Sequence, residues 1–146
     1  MLIGKEELCS LIPHEGDMCL LDGVLSWDET EILCTARSHL DPANPLRRKG
    51  RLPAVSLLEY GAQAMAAHGG LLARAERRQT LPGYLAALHE VCLARDFVDD
   101  SNLDLIIQAH RLAAENGSSM YRFRVSLADK PLASARATVM TASGEP

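Results

Sequence analysis

The sequence predicts an α+β domain in which one long helix faces a six-stranded antiparallel sheet. Two observations carry that prediction. A single long Ala-rich segment runs from Pro53 towards Glu76. Around it lie segments that read as strands, two before and four after, three of them with two-residue alternation. A helix followed by a run of strands that can pair as a meander belongs to the α+β class rather than to alternating α/β. The 146 residues form one domain (1–146), and a 47% hydrophobic fraction can fill its core.

Each element follows from local chemistry. Glu6 to Ile12 reads as a short helix ended by Pro13, because the residue before proline avoids the helical region. From Met18 to Trp27 the chain is apolar on both alternating sets, as in a strand buried on both faces. Asp28-Glu29-Thr30 makes a turn, and Ile32 to Ser38 returns as its pairing strand. DPANPLRRKGRLP then gathers three of the seven prolines and four basic residues into a loop. Pro53 suits the first helical position. Ala62, Ala64, Ala66, Ala67, Gly69 and Gly70 go nearly all round the helix, so it should be covered on every side, in part by a second subunit.

After the break at Thr80-Leu81-Pro82-Gly83 the period changes. Tyr84 to Phe97 is mostly apolar. Leu103, Leu105, Ile107 and Ala109 alternate with Asp104, Ile106, Gln108 and His110. Tyr121, Phe123, Val125 and Leu127 alternate with Arg122, Arg124 and Ser126; Ala133, Ala135, Ala137 and Val139 alternate with Ser134, Arg136 and Thr138. Asn116-Gly117 and Asp129-Lys130 supply the turns between them.

Composition narrows the function. A net charge of −4 and only one Trp, three Tyr and two Phe argue against nucleic acid as the main partner. No apolar stretch approaches the roughly 20 residues of a membrane helix, and the acidic start does not read as a signal peptide. The expectation is a soluble cytoplasmic protein. Cys9, Cys19, Cys34 and Cys92 form no C-x-x-C pair and have no His at zinc-ligand spacing, so buried, reduced thiols and no metal site are expected.

The stretch PAVSLLEYGAQAMAAHGG, from Pro53 to Gly70, holds one acid, Glu59. Two readings stand side by side. Ser56-x-x-Glu59 spells a capping box, in which the carboxylate would only satisfy the helix start. Alternatively the helix starts at Pro53, and Glu59 in its second turn faces a pocket with Gln63 beside it at i+4.

P-A-V-S-L-L-E-Y-G-A-Q resembles the central helix of the 3-hydroxyacyl-[acyl carrier protein] dehydratases, which have the hot-dog fold: an antiparallel sheet wrapped around one long helix. L-I-P-H-E-G-D-M-C-L-L-D resembles their entry to the first strand, and G-Y-L-A-A-L-H-E-V-C-L-A-R-D-F-V their strand after the helix. The resemblance runs from about Leu11 to Met140. It implies Glu59 as the catalytic acid and His14 as the base, with Gln63 beside them. The chain departs from that pattern at one point. The family's loop His falls fourteen residues before the Glu, where this chain has Pro45, and no His lies between His39 and His68. In this respect it is most similar to the dehydratase-like branch associated with aryl-polyene synthesis.

Dehydration of a 3-hydroxyacyl thioester requires a base, an acid and donors for the carbonyl oxygen. The N–H groups near Ala54 and Val55, at the helix start, are the candidate donors. Glu59 would handle the departing hydroxyl and His14 the proton beside the carbonyl, giving a trans-2-enoyl product. Arg47, Arg48, Lys49 and Arg51 form a basic patch that could dock an acyl carrier protein, whose phosphopantetheine arm carries the substrate; otherwise it is a solvated loop. No other cofactor is implied. A homodimer or a heterodimer with another hot-dog subunit is expected. The alternatives are a non-catalytic subunit of a dehydratase complex and an acyl thioesterase. His39, His89 and His110 are expected to be structural or exposed, and His68 to be a helix-end residue.

Overall fold

The computed structural model describes residues 2–12, 18–78, 83–98 and 102–141. The order is β1 (Ile3–Gly4), α1 (Lys5–Leu11), β2 (Gly23–Trp27), β3 (Glu31–Ala36), α2 (Leu57–Ala75), β4 (Gly83–Leu93), β5 (Leu105–Glu115), β6 (Ser118–Leu127) and β7 (Lys130–Thr141). The strands form one antiparallel sheet in the order β1-β2-β3-β5-β6-β7-β4. Among the described residues this sheet has seven strands, not the expected six. The extra one, β1, is two residues long, too short for any periodic signal.

The alternation in β5, β6 and β7 decides which side chains reach the helix. Leu105, Ile107 and Ala109, then Tyr121, Phe123 and Val125, then Ala133, Ala135 and Ala137 are all buried. They pack with Leu57, Tyr60, Ala64 and Ala67 of α2 in one core. Gly61 permits that approach: a Cβ there would stand 2.3 Å from the Phe123 ring. On the other side α1 covers α2. Leu11 sits where a Gly70 Cβ would meet it at 3.3 Å, and Arg74 reaches Glu7 at 2.7 Å.

Turns behave as their residues require. Asp28 Oδ1 accepts the N–H groups of Thr30 and Glu31, both at 2.9 Å, which closes the β2–β3 turn. Those donors, that of Thr30 foremost, hold the Asp28 carboxyl below its usual range. Asn116 and Gly117 both take positive φ, 52° and 80°, as a two-residue hairpin turn demands. The next turn falls one residue earlier than expected. Leu127 pairs with Lys130, leaving Ala128 (φ 53°) and Asp129 as the loop.

β4 is the surprise. Its composition is mostly apolar, yet among the described residues it pairs only with β7 and lies at the margin of the sheet. Tyr84 is 58% exposed, Leu85 and Val91 42%, and Leu93 40%.

Candidate functional site

The helix start removes the capping-box reading of Glu59. Ser56 has helical dihedrals (φ −61°, ψ −22°), and its side chain caps nothing. A 3-10 turn over Ala54–Ser56 runs directly into α2, with extended Pro53 (ψ 144°) as its cap. Glu59 therefore lies inside a continuous helical stretch and is not part of a capping box. Its side chain is exposed in the single chain.

Gln63 is buried and uses its amide fully. Its Oε1 accepts the Leu20 N–H at 2.8 Å. Its Nε2 donates to the Met18 carbonyl and, at 3.2 Å, to Glu59 Oε2. The segment entering β2 is thereby fastened to α2, and the carboxylate one turn back is oriented by the same side chain. Lys5 holds this segment from α1, donating to the carbonyls of Cys19 at 3.2 Å and Leu21 at 2.9 Å.

The chain leaving β4 ties the helix start to the open margin of the sheet. Val98 N–H donates to Leu52 O at 3.0 Å, Pro53 bridges to Phe97, and Ala54 N–H donates to Asp96 O at 2.7 Å. This last bond corrects one expectation. The Ala54 N–H is occupied by Asp96, and Ala54 itself is buried, so it is not available to a thioester oxygen. Val55, exposed at the same place, is the remaining candidate donor.

His14 lies outside the described residues. His68, expected at a helix end, is instead wholly buried inside α2. Its Nε2 lies 2.8 Å from the Asp28 carbonyl and its Nδ1 2.6 Å from Tyr121 Oη. A carbonyl only accepts, so Nε2 carries the proton and Nδ1 accepts from the tyrosine hydroxyl. Burial pushes the His68 imidazole below 6.5 and Tyr121 up to about 12. His39 is also buried, with Nε2 2.9 Å from Leu103 O.

The basic loop is built partly from its own cations. Arg47 donates from Nε to Asp41 O and from Nη1 to Gly50 O, both at 2.8 Å, and from Nη2 to His39 O at 2.9 Å. Arg48 reaches the carbonyls of Arg47 and Pro45, and Arg51 lies 3.9 Å over the Phe97 ring. Arg48, Lys49 and Arg51 remain exposed. Asn44 anchors the loop below, donating to Ser38 O at 2.8 Å and Tyr60 Oη at 3.1 Å.

The cysteines differ from expectation. Cys9 and Cys19 form a disulfide, and Cys92 is exposed. Only Cys34 is a buried free thiol, pushed up to about 12 by burial. Sequence spacing could not reveal the pair, since bridging depends on Cα atoms brought within reach, here 5.8 Å. Two shallow cavities, of about 290 and 230 Å³, lie on the outer face of the sheet around Gln108 and Arg124, away from Glu59. No helix among the described residues is long and apolar enough to cross a membrane.

Comparison with solved structures finds the hot-dog fold. A chain of the dehydratase heterocomplex ApeI:P from Xenorhabdus doucetiae superposes with a TM-score of 0.84 at 19% identity, covering 93% of this chain and 91% of that one. Zebra fish thioesterase superfamily member 2 gives 0.65 at 16% identity, with 94% and 95% covered. A mutant thioesterase from Pseudomonas aeruginosa gives 0.64 at 14%, with 96% and 94% covered. No curated protein matches by sequence. The profile of the ApeP-like family, described as ApeP dehydratase, matches residues 6–145, and this chain belongs to that family.

Proposed function

We propose that the protein is a dehydratase-type hot-dog subunit acting on 3-hydroxyacyl thioesters presented by an acyl carrier protein in the cytoplasm, in fatty-acid or aryl-polyene type synthesis. The observation that carries this reading is the Glu59–Gln63 pair. A carboxylate stands exposed in the first turn of a long buried helix, oriented by a buried amide, in a chain whose family is a dehydratase family. In the reaction Glu59 delivers a proton to the departing hydroxyl, while the base removes one beside the carbonyl. The Val55 N–H at the positive helix end stabilises the thioester oxygen as charge develops on it. His14 is the base that the resemblance supplies. Arg48, Lys49 and Arg51 offer the carrier protein and the phosphate of its pantetheine arm a positive approach.

The site is completed by a second hot-dog subunit along β4. That strand exposes apolar side chains on both faces, and its exit is bonded to the helix start that bears Glu59. The relative from Xenorhabdus is itself a heterocomplex. Pro45 at the place of the loop His favours a second reading, in which this chain supports a partner's site without catalysing.

The test is mass spectrometry of a 3-hydroxyacyl carrier protein incubated with the chain, alone and with a second hot-dog subunit. Loss of one water that Glu59→Gln abolishes supports dehydration. Release of the acyl chain means a thioesterase. Activity only with the second subunit, and unaffected by Glu59→Gln, assigns the chain a supporting role.

A further inference from the structure

Cys19 lies between the two residues whose backbone holds Gln63. Met18 supplies the carbonyl that accepts from Nε2, and Leu20 supplies the N–H that Oε1 accepts. Cys19 itself is bonded to Cys9 on α1. A single covalent link therefore joins α1 to the middle of a three-residue clamp, and the clamp sets the side chain that orients Glu59. Lys5 grips the same segment through two carbonyls and an ion pair to Asp22 at 3.7 Å, but without a covalent bond. The bridge is half-exposed on its Cys9 side, so a reductant can reach it.

We propose that the Cys9–Cys19 disulfide is a positioning element for Gln63 and Glu59, and that its reduction loosens the clamp. A dithiol reductant attacks one sulfur, passes through a mixed disulfide and leaves as its own cyclic disulfide. The S–S bond breaks, each cysteine gains one electron and one proton, and the reductant's two thiols are oxidised. Without the link the Met18–Leu20 segment gains freedom, because cross-linking limits the arrangements it can sample. The Gln63 amide then loses its fixed partners, and Glu59 loses its orientation. In a compartment that keeps thiols reduced, such a link is transient and regulatory rather than permanent.

Hydrogen exchange and thiol counting test this on the intact chain. Alkylation of the denatured, air-oxidised protein should modify two cysteines, Cys34 and Cys92, and after dithiothreitol all four. Exchange at the Leu20 amide should quicken about tenfold on reduction, the factor of one hydrogen bond, while amides of β5 and β6 stay unchanged. Cys9→Ser should copy the reduced state. In Gln63→Ala the Leu20 amide should exchange fast in both redox states, with no further redox effect; this separates the clamp from general loosening. Four alkylated cysteines before reduction, or a Leu20 amide indifferent to dithiothreitol, overturns the proposal. The effect on turnover rests on the dehydratase reading. Turnover that falls on reduction in the native chain but not in Gln63→Ala supports the link. Absence of turnover in every form counts against the dehydratase reading alone, since the exchange result still decides the clamp.

Discussion

Gln63 donates to Glu59 at 3.2 Å from one helical turn further on, while its carbonyl oxygen accepts the buried Leu20 N–H at 2.8 Å. The two residues of the pair should therefore differ sharply in their effect on stability. Gln63→Ala leaves the Leu20 N–H and the Met18 carbonyl without partners and should cost about 1–3 kcal/mol. Glu59→Gln, at an exposed position, should stay within about 0.5 kcal/mol of the native chain. Denaturant midpoints compare them, and equal losses would mean that Glu59, like Gln63, is a structural residue.

Helix and sheet meet most closely at Gly61. Gly61→Ala places a methyl group into the Phe123 ring and should destabilise by about 1–3 kcal/mol. Phe123→Leu, itself destabilising, should lessen the added cost of Gly61→Ala in the double variant. Thermal melts of the four proteins measure that coupling. Strict additivity would show that the ring does not meet the new methyl.

Acid should weaken the fold through its buried imidazoles. Burial depresses His68 and His39 below their ordinary 6.5. Between the folded value and 6.5 the unfolded chain binds more protons, so stability rises with pH. This contribution is complete above 6.5 and is lost as pH falls through the folded values. Each histidine gives a slope of at most about 1.4 kcal/mol per pH unit in that window. Melting temperatures at pH 7.5, 6.5 and 5.5 should fall across the lower interval, and a flat profile would contradict it.

Subunit association should depend on β4. Leu85→Glu or Val91→Glu puts charge on an apolar, exposed strand that the fold itself does not bury. Association should weaken at least tenfold, from the loss of about 1.5–3 kcal/mol of apolar burial per side chain, while circular dichroism stays native. Sedimentation equilibrium reads the change. An unaltered mass in both variants would remove β4 from the interface.

The inward sets of β5, β6 and β7 were legible because a half-buried strand writes its faces in alternation. The Asp28 and Asn116-Gly117 turns were legible because side-chain acceptors and positive φ select their own residues. β4 was legible as a strand but not as a margin, since an apolar run looks the same whether the chain or another molecule covers it. Ser56 and Glu59 have the spacing of a capping box. The box fails because the chain is already helical at Ala54, three residues before α2. Gln63 was legible as Glu59's neighbour. Its grip on Met18 and Leu20 spans more than forty residues and needed the fold. The Cys9–Cys19 link was hidden for the same reason.

β4, eleven residues long, is paired to β7 along one edge, and its outer edge, flanked by oily side chains, meets no other strand among the described residues. A molecule left alone with such a rim is a template for any extended peptide that meets it, including its own copies. Synthesis in step with whatever caps the rim would then be a condition of solubility. Surplus chain, made without its cap, should collect in insoluble deposits or be cleared by proteolysis.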